Sequence, residues 1–213
     1  MKQLLLCLML SVMGLNVVVA QNKVLEKAMK KEYKAKMKEY KKEGWKITAS
    51  SHTLEVELLQ HYEKLKAENT TELVGAVSNC QSINVCRQAA LNNAAAYYAS
   101  MAGSHLKGRI VSDMAVNQSF QEGIEEFDKL YAAYERLVEK EIKGEIQESY
   151  TIMRTNEFGN KELQTFYFVN EEAAVKARIR AWENAIKESQ AAQKYASEVS
   201  KFVNEPVSLN KAI

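Results

Sequence analysis

The fold is decided by residues 74–96, which read V-G-A-V-S-N-C-Q-S-I-N-V-C-R-Q-A-A-L-N-N-A-A-A. Alternating side chains over Glu72 to Ser78 predict a buried strand. Gly75 lies inside that strand, where a glycine usually marks a bulge or the close approach of another backbone. The alanine-rich tail predicts a helix from about Val85 to Ala102, whose small side chains would let it lie close against a sheet. We therefore expect a strand, a turn and a helix in close contact.

The segment after this helix predicts a second strand. Gly103 is expected to end the helix, since glycine adopts the left-handed conformation of helix C-termini at little cost. The side chains of Leu106, Gly108, Ile110 and Ser112 then alternate with those of Lys107, Arg109 and Val111. Such alternation is typical of a strand.

Two cysteines flank the turn between the strand and the helix. Cys80 and Cys86 do not form a C-x-x-C motif, and no His or Cys at metal-ligand spacing accompanies them. In an oxidising compartment two such thiols often pair, and a separation of six residues across a turn is short enough for bonding. The sequence thus predicts either a local disulfide between Cys80 and Cys86 or two free thiols, with no metal site and no cofactor site.

The first twenty residues have the pattern of a secretory signal peptide. Lys2 gives a positive start, an apolar run extends from Leu4 to Ala20, and a cut is plausible before Gln21. A single-pass membrane anchor is the alternative, although no stop-transfer cluster follows the run. Too few residues precede Cys7 for a lipidation signal, so we expect Cys7 to be removed with the signal peptide.

The composition beyond this segment indicates one globular domain. The chain is 46% hydrophobic and 26% charged, which is typical of folded proteins rather than disordered ones. A net charge of +2 gives no global indication of nucleic-acid binding. We predict a signal peptide over 1–20, a lysine-rich amphipathic helix over 21–43, and a single α+β domain with a long C-terminal helix over 44–205.

The helix before the domain combines a basic surface with an apolar stripe. Between Asn22 and Glu43 there are nine lysines and four glutamates. Its stripe is formed by Leu25, Met29, Tyr33, Met37 and Tyr40. One interpretation is a helix that lies on an anionic membrane surface or binds an acidic partner. The other, which we favour, is that the stripe docks on the domain and the lysines are solvated, with the acidic helix that ends at Ile142 facing them.

Periodicity and turn residues predict the remaining elements. They are a strand over Trp45–Ala49, a helix over Leu54–Lys66, a helix over Phe120–Ile142, a hairpin with its turn at Gly159-Asn160, and a final helix over Glu171–Val203. The predicted fold class is α+β, with a small antiparallel sheet of about four to five strands packed by long amphipathic helices.

Catalytic motifs are not found in the sequence. It has no G-x-S-x-G, H-E-x-x-H or phosphate-loop pattern. His52 and His61 are nine residues apart, which does not place them on one helical face as a metal pair would require, so a surface or capping role is expected for each. A meeting of His105 with Cys80 or Cys86 would be a matter of chance. We expect no catalytic residues and no enzyme activity.

Four segments resemble a known family. They are the strand Leu73-Val74-Gly75-Ala76, the helix Arg87 to Ala96, the stretch Leu106 to Ile110, and Ile142-Lys143-Gly144-Glu145-Ile146 leading into Tyr150 to Arg154. Over about Glu72 to Asn170 this order resembles the Lpp-twenty-type bacterial envelope lipoproteins, whose domain is similar to the N-terminal domain of a flagellar assembly protein. The resemblance implies an α+β domain in the envelope of a Gram-negative bacterium, without catalytic residues.

Two functions of different classes follow as expectations. The first is a non-catalytic exported protein, periplasmic or associated with the outer membrane, that binds a protein or another envelope component. The second is a binder of a small ligand or an anionic surface, which would use the lysine-rich helix or a groove between helices and sheet. Peripheral membrane contact is compatible with both, and neither involves nucleic acid.

Overall fold

The computed structural model describes residues 26–67, 69–117, 124–188 and 202–207, together with residues 193 and 200. The predicted signal peptide over 1–20, including Cys7, lies outside these residues. Among the helices that are described, none is both long and apolar enough to span a bilayer.

Five helices and four strands make up the described chain. In chain order they are α1 (26–43), β1 (Lys46–Thr48), α2 (Leu54–Leu65), β2 (Thr70–Val77), α3 (Ile83–Asn117), α4 (Ile124–Ile142), β3 (Gln147–Thr155), β4 (Lys161–Asn170) and α5 (Glu171–Glu188). The strands form one antiparallel sheet in the order β1-β3-β4-β2. The α+β prediction is confirmed.

Strand β4 lies in the middle of the sheet and is buried on both faces. Residues 165–169 of this strand are all buried. Tyr167 and Val169 belong to one apolar core with α3, α4 and α5. Phe166 belongs to a second core with α1 and α2, which also contains Tyr150 and Ile152 of β3. The sheet therefore separates a layer of two helices from a layer of three.

Close contact between β2 and α3 fixes one side of this arrangement. A Cβ atom at Gly75 would overlap the carbonyl group of Ala90 and would lie only 2.9 Å from the Cα of Ala90. The predicted close approach is therefore present, and it explains both the glycine and the alanines. At the same end of α3, a disulfide joins Cys80 to Cys86, and both side chains are buried against Leu163 of β4.

The predicted strand over Leu106–Ser112 is wrong, because α3 continues through it to Asn117. Leu106 and Ile110 are four residues apart and both buried, so they extend the helix stripe that packs on α4. Gly103 does not end the helix. A Cβ atom there would overlap the side chain of Glu135, so this glycine allows α4 to approach α3.

The prediction of one helix over Glu171–Val203 is also wrong. Arg178 donates a hydrogen bond from Nε to the carbonyl of Val203 at 3.3 Å, and Trp182 donates from Nε1 to Oγ of Ser200 at 3.3 Å. In one straight helix Arg178 and Val203 would be about 38 Å apart. The chain has therefore turned back, so that Ser200 and Val203 lie antiparallel to α5.

The buried guanidinium of Arg178 holds this returning segment. It contacts the hydroxyl of Tyr98 and the carboxylate of Glu171, the latter at 2.8 Å. It also donates to the backbone carbonyls of Val203 and Glu205. A buried charge with all of these partners is tolerated, whereas removing one partner would be costly.

The contact between β2 and α3 gives a stability prediction. Gly75→Ala should lower the free energy of unfolding by about 1–3 kcal/mol, because the new methyl group overlaps backbone that cannot move aside. Gly108→Ala is the matched control, since no atom lies within 4 Å of a Cβ there. It should be stabilising by about 0.5–1 kcal/mol, as expected within a helix. Urea unfolding measures both, and a neutral Gly75→Ala would contradict the close approach.

Candidate functional site

Helix α1 is docked on the sheet through its apolar stripe. Met37 and Tyr40 are buried, and the Tyr40 hydroxyl lies 3.0 Å from the Tyr150 hydroxyl of β3. Burial raises the pKa of both phenols, so they remain neutral and keep this hydrogen bond. Tyr33 meets Tyr62 of α2 edge to face. The rotation of α1 about its own axis is therefore fixed.

Beside this stripe, α1 presents a continuous basic surface to solvent. At about 100° per residue, seven exposed lysines fall within an arc of about 120°, and no glutamate of α1 lies on that arc. We call this surface the lysine face; it consists of Lys27, Lys30, Lys31, Lys34, Lys38, Lys41 and Lys42. Two of its members have a carboxylate partner, Lys30 with Glu26 at 2.9 Å and Lys41 with Glu55 at 3.2 Å.

The acidic helix α4 does not neutralise the lysine face, contrary to our expectation. It packs on α3 and α5, on the other side of the sheet from α1. The described ion pairs of α4 are Asp128 with Lys107, Glu139 with Lys143, Glu141 with Arg180 and Arg136 with Glu188. Among the described carboxylates, none lies within ion-pair distance of Lys31, Lys34 or Lys38.

A shallow groove borders the lysine face. It has a volume of about 390 Å³ and is lined by Tyr33, Lys34, Met37, Lys38, Lys41 and Glu55. The pKa of Glu55 is lowered by a hydrogen bond from its own backbone amide and by Lys41. The groove therefore has an apolar floor formed by Tyr33 and Met37, and a predominantly cationic rim.

His61 is buried between α2 and the sheet, so the surface role expected for it is wrong. In the neutral ring, Nε2–H donates to the carboxylate of Glu72 on β2, and Nδ1 accepts from the hydroxyl of Ser149 on β3 at 3.0 Å. The ring also stacks on Phe168 of β4, with centroids 4.7 Å apart. Both ring nitrogens are thus satisfied, which allows the histidine to be buried.

A β-bulge directs Ser149 towards His61. The register of β3 and β4 shifts between Glu148 and Tyr150, so Ser149 is the extra residue. Without the extra residue, alternation would send the side chains of Ser149 and Tyr150 to opposite faces of the sheet. With it, both contact His61. Sequence periodicity could not reveal this, because an inserted residue interrupts the alternation on which such a prediction depends.

A hydroxyl, an imidazole and a carboxylate in this order can activate a serine nucleophile when a substrate cleft opens beside the hydroxyl. The groove beside the lysine face contains neither Ser149, His61 nor Glu72. The contacts that these residues do make join α2 to β2 and β3. We therefore interpret the cluster as the polar contact that docks α2 on the sheet.

The other residues considered from the sequence remain apart. His52 is exposed and lies 3.2 Å from Glu57, consistent with the surface role predicted for it. His105 and Cys86 are both on α3, 19 residues and about 28 Å apart, so they do not form a reactive pair. In the part of the chain that the structure describes, no group of three or more His, Cys, Asp or Glu side chains could hold a metal ion.

Comparison with known proteins does not assign the chain to a family. No protein family, curated protein or solved structure matches the chain significantly. The resemblance to the Lpp-twenty-type lipoproteins stays a prediction.

The His61 cluster gives a stability prediction. His61→Ala should lower the free energy of unfolding by about 2–4 kcal/mol, because it removes a ring that stacks on Phe168. It also leaves the Ser149 hydroxyl without its acceptor and the Glu72 carboxylate without its donor. The control His52→Ala, at an exposed histidine, should change it by less than about 0.5 kcal/mol. Equal effects of the two substitutions, measured by denaturant unfolding, would show that His61 does not dock α2.

The lysine face predicts an unusual response to charge removal. Lys34 has Lys30, Lys31 and Lys38 three or four residues away, and like charges at this spacing destabilise a helix by about 0.2–0.5 kcal/mol per pair. Lys34→Gln should therefore leave the thermal midpoint unchanged or raise it at low salt. Lys36→Gln, on the same helix, loses the 3.1 Å contact with Glu39 and should not raise it. A larger loss for Lys34→Gln than for Lys36→Gln would contradict repulsion within the face.

Proposed function

We propose that this protein is a non-catalytic, exported component of a bacterial cell envelope, periplasmic or associated with the outer membrane, that acts by binding a protein or another envelope component. The signal-peptide pattern over 1–20 and the family resemblance support the location. The lysine face is the single observation that supports the binding role.

The lysine face is energetically unfavourable in the isolated protein. Seven positive charges on one side of a helix repel one another, and such repulsion is unfavourable unless an anionic partner is bound. Three carboxylates of α4, Asp128, Glu139 and Glu141, avoid this cost because they have cationic partners within the fold. Among the described residues, Lys30 and Lys41 are the members of the lysine face that have a carboxylate partner, so a negatively charged binding partner would stabilise the other five.

The groove supports a second candidate, the binding of a small anionic amphiphile. Its volume is within the range of about 300–1,000 Å³ that is common for ligand sites. Tyr33 and Met37 would contact the apolar part, and Lys34 and Lys38 the anionic part. Acetylation of surface lysines in the presence and absence of a fatty acid tests this candidate. Slower acetylation of Lys34 and Lys38 when the fatty acid is present would support it, and unchanged labelling would count against it.

Cross-linking in intact cells tests the proposed function. The tagged full-length chain should capture a reproducible envelope partner. The triple variant Lys31→Gln, Lys34→Gln, Lys38→Gln should lose that partner. The matched control Lys129→Gln, Lys140→Gln, Lys176→Gln removes the same charge from exposed lysines of α4 and α5 and should retain it. Equal capture by both triple variants would contradict a binding role for the lysine face.

A further inference from the structure

The chemistry of the lysine face narrows the kind of partner that it fits. The face contains no arginine and no aromatic side chain. Protein interfaces are enriched in aromatic residues and arginine, whereas lysine is depleted from them. Binding energy at this surface would therefore come from many dispersed charges rather than from a few anchoring side chains.

The arginines of this chain are used differently from the lysines of α1. Each of the six contacts a carboxylate within the fold: Arg87 with Glu148, Arg109 with Glu205, Arg136 with Glu188, Arg154 with Glu162, Arg178 with Glu171 and Arg180 with Glu141. Arginine suits such fixed, planar pairing. Lysine is a compact charge on a flexible stem, which suits anions whose positions change, as lipid headgroups do.

The packing of α1 also determines how it could meet a membrane. An interfacial helix normally buries its apolar side among the lipid chains. Here Met37 is 7% exposed and Tyr40 1% exposed, because both contact the sheet. The helix therefore cannot insert without leaving its own core. It can only lie along the surface, with the lysines from Lys27 to Lys42 spread over about 22 Å.

We propose that the lysine face binds the phosphate groups of an anionic lipid bilayer, with α1 parallel to the membrane plane and its apolar stripe still docked on the sheet. This inference rests on the proposed function and names its partner. The contact is electrostatic, so each lysine contributes a similar amount and salt weakens binding. Phosphates close to the lysines also relieve the repulsion among them.

Sedimentation with lipid vesicles tests this inference on the full chain. Vesicles of phosphatidylcholine are compared with vesicles that also contain phosphatidylglycerol. The apolar run over 4–20 would contribute to binding of both kinds, so the comparison of the two triple variants isolates the contribution of the lysine face. We expect the unmodified chain to bind the anionic vesicles more strongly than the neutral ones. Binding to the anionic vesicles should become on the order of a hundredfold weaker in the triple variant Lys31→Gln, Lys34→Gln, Lys38→Gln. The control Lys129→Gln, Lys140→Gln, Lys176→Gln should bind as the unmodified chain does.

The outcomes separate this inference from the proposed function. Equal binding to both vesicle types, or equal weakening by the two triple variants, would overturn the lipid contact. So would the absence of vesicle binding; if the cross-linked partner were still lost with the first triple variant, the proposed function would stand and the partner would be a protein. Tryptophan fluorescence gives a further readout, because Trp45 beside the end of α1 and Trp182 of α5 are 6% and 3% exposed. The spectrum should not change on vesicle binding, and a change that is also seen with Trp182→Phe would show that α1 undocks.

Discussion

The structure depends on the burial of β4 on both faces. A strand whose consecutive side chains are all apolar or small, as from Thr165 to Val169, must be covered on two sides. Tyr167 and Val169 require α3 and the helices behind it, and Phe166 requires α1 and α2. The two helix layers are thus consequences of one strand. The direction of the lysine face follows, because α1 can bury its stripe only by turning its lysines away from the sheet.

The two layers are attached in different ways. On one side, Gly75 and Ala90 bring backbone against backbone, and the Cys80–Cys86 disulfide holds the start of α3. On the other side, the contact is made by side chains, with His61 joining α2 to Glu72 and Ser149, and Tyr40 joining α1 to Tyr150. The layer of α3, α4 and α5 is therefore the scaffold, and the layer of α1 and α2 presents the lysine face.

Much of this could be predicted from local sequence. The strand containing Gly75, the hairpin turn at Gly159 and the stripe of α1 each depend on residues close together in the chain, where one pattern favours one structure. The prediction of a strand over Leu106–Ser112 was wrong because apolar residues spaced by two and by four are compatible with a strand and with a helix. The predictions of a surface role for His61 and of one continuous helix up to Val203 were wrong because the partners that decide both lie far along the sequence. The side of the sheet on which α4 packs is likewise decided by tertiary contacts. Charge complementarity therefore wrongly predicted that α4 faces α1.

Amide hydrogen exchange of α1 tests the central claim most directly, because the claim is that this helix is docked and its lysine face therefore has a fixed direction. We expect the amides of residues 33–43 to be protected well beyond those of an isolated helix and to approach the protection of β3 and β4. Rapid exchange over 33–43, with β3 and β4 still protected, would contradict it. The lysines would then have no fixed arrangement, and the proposed binding surface would not exist.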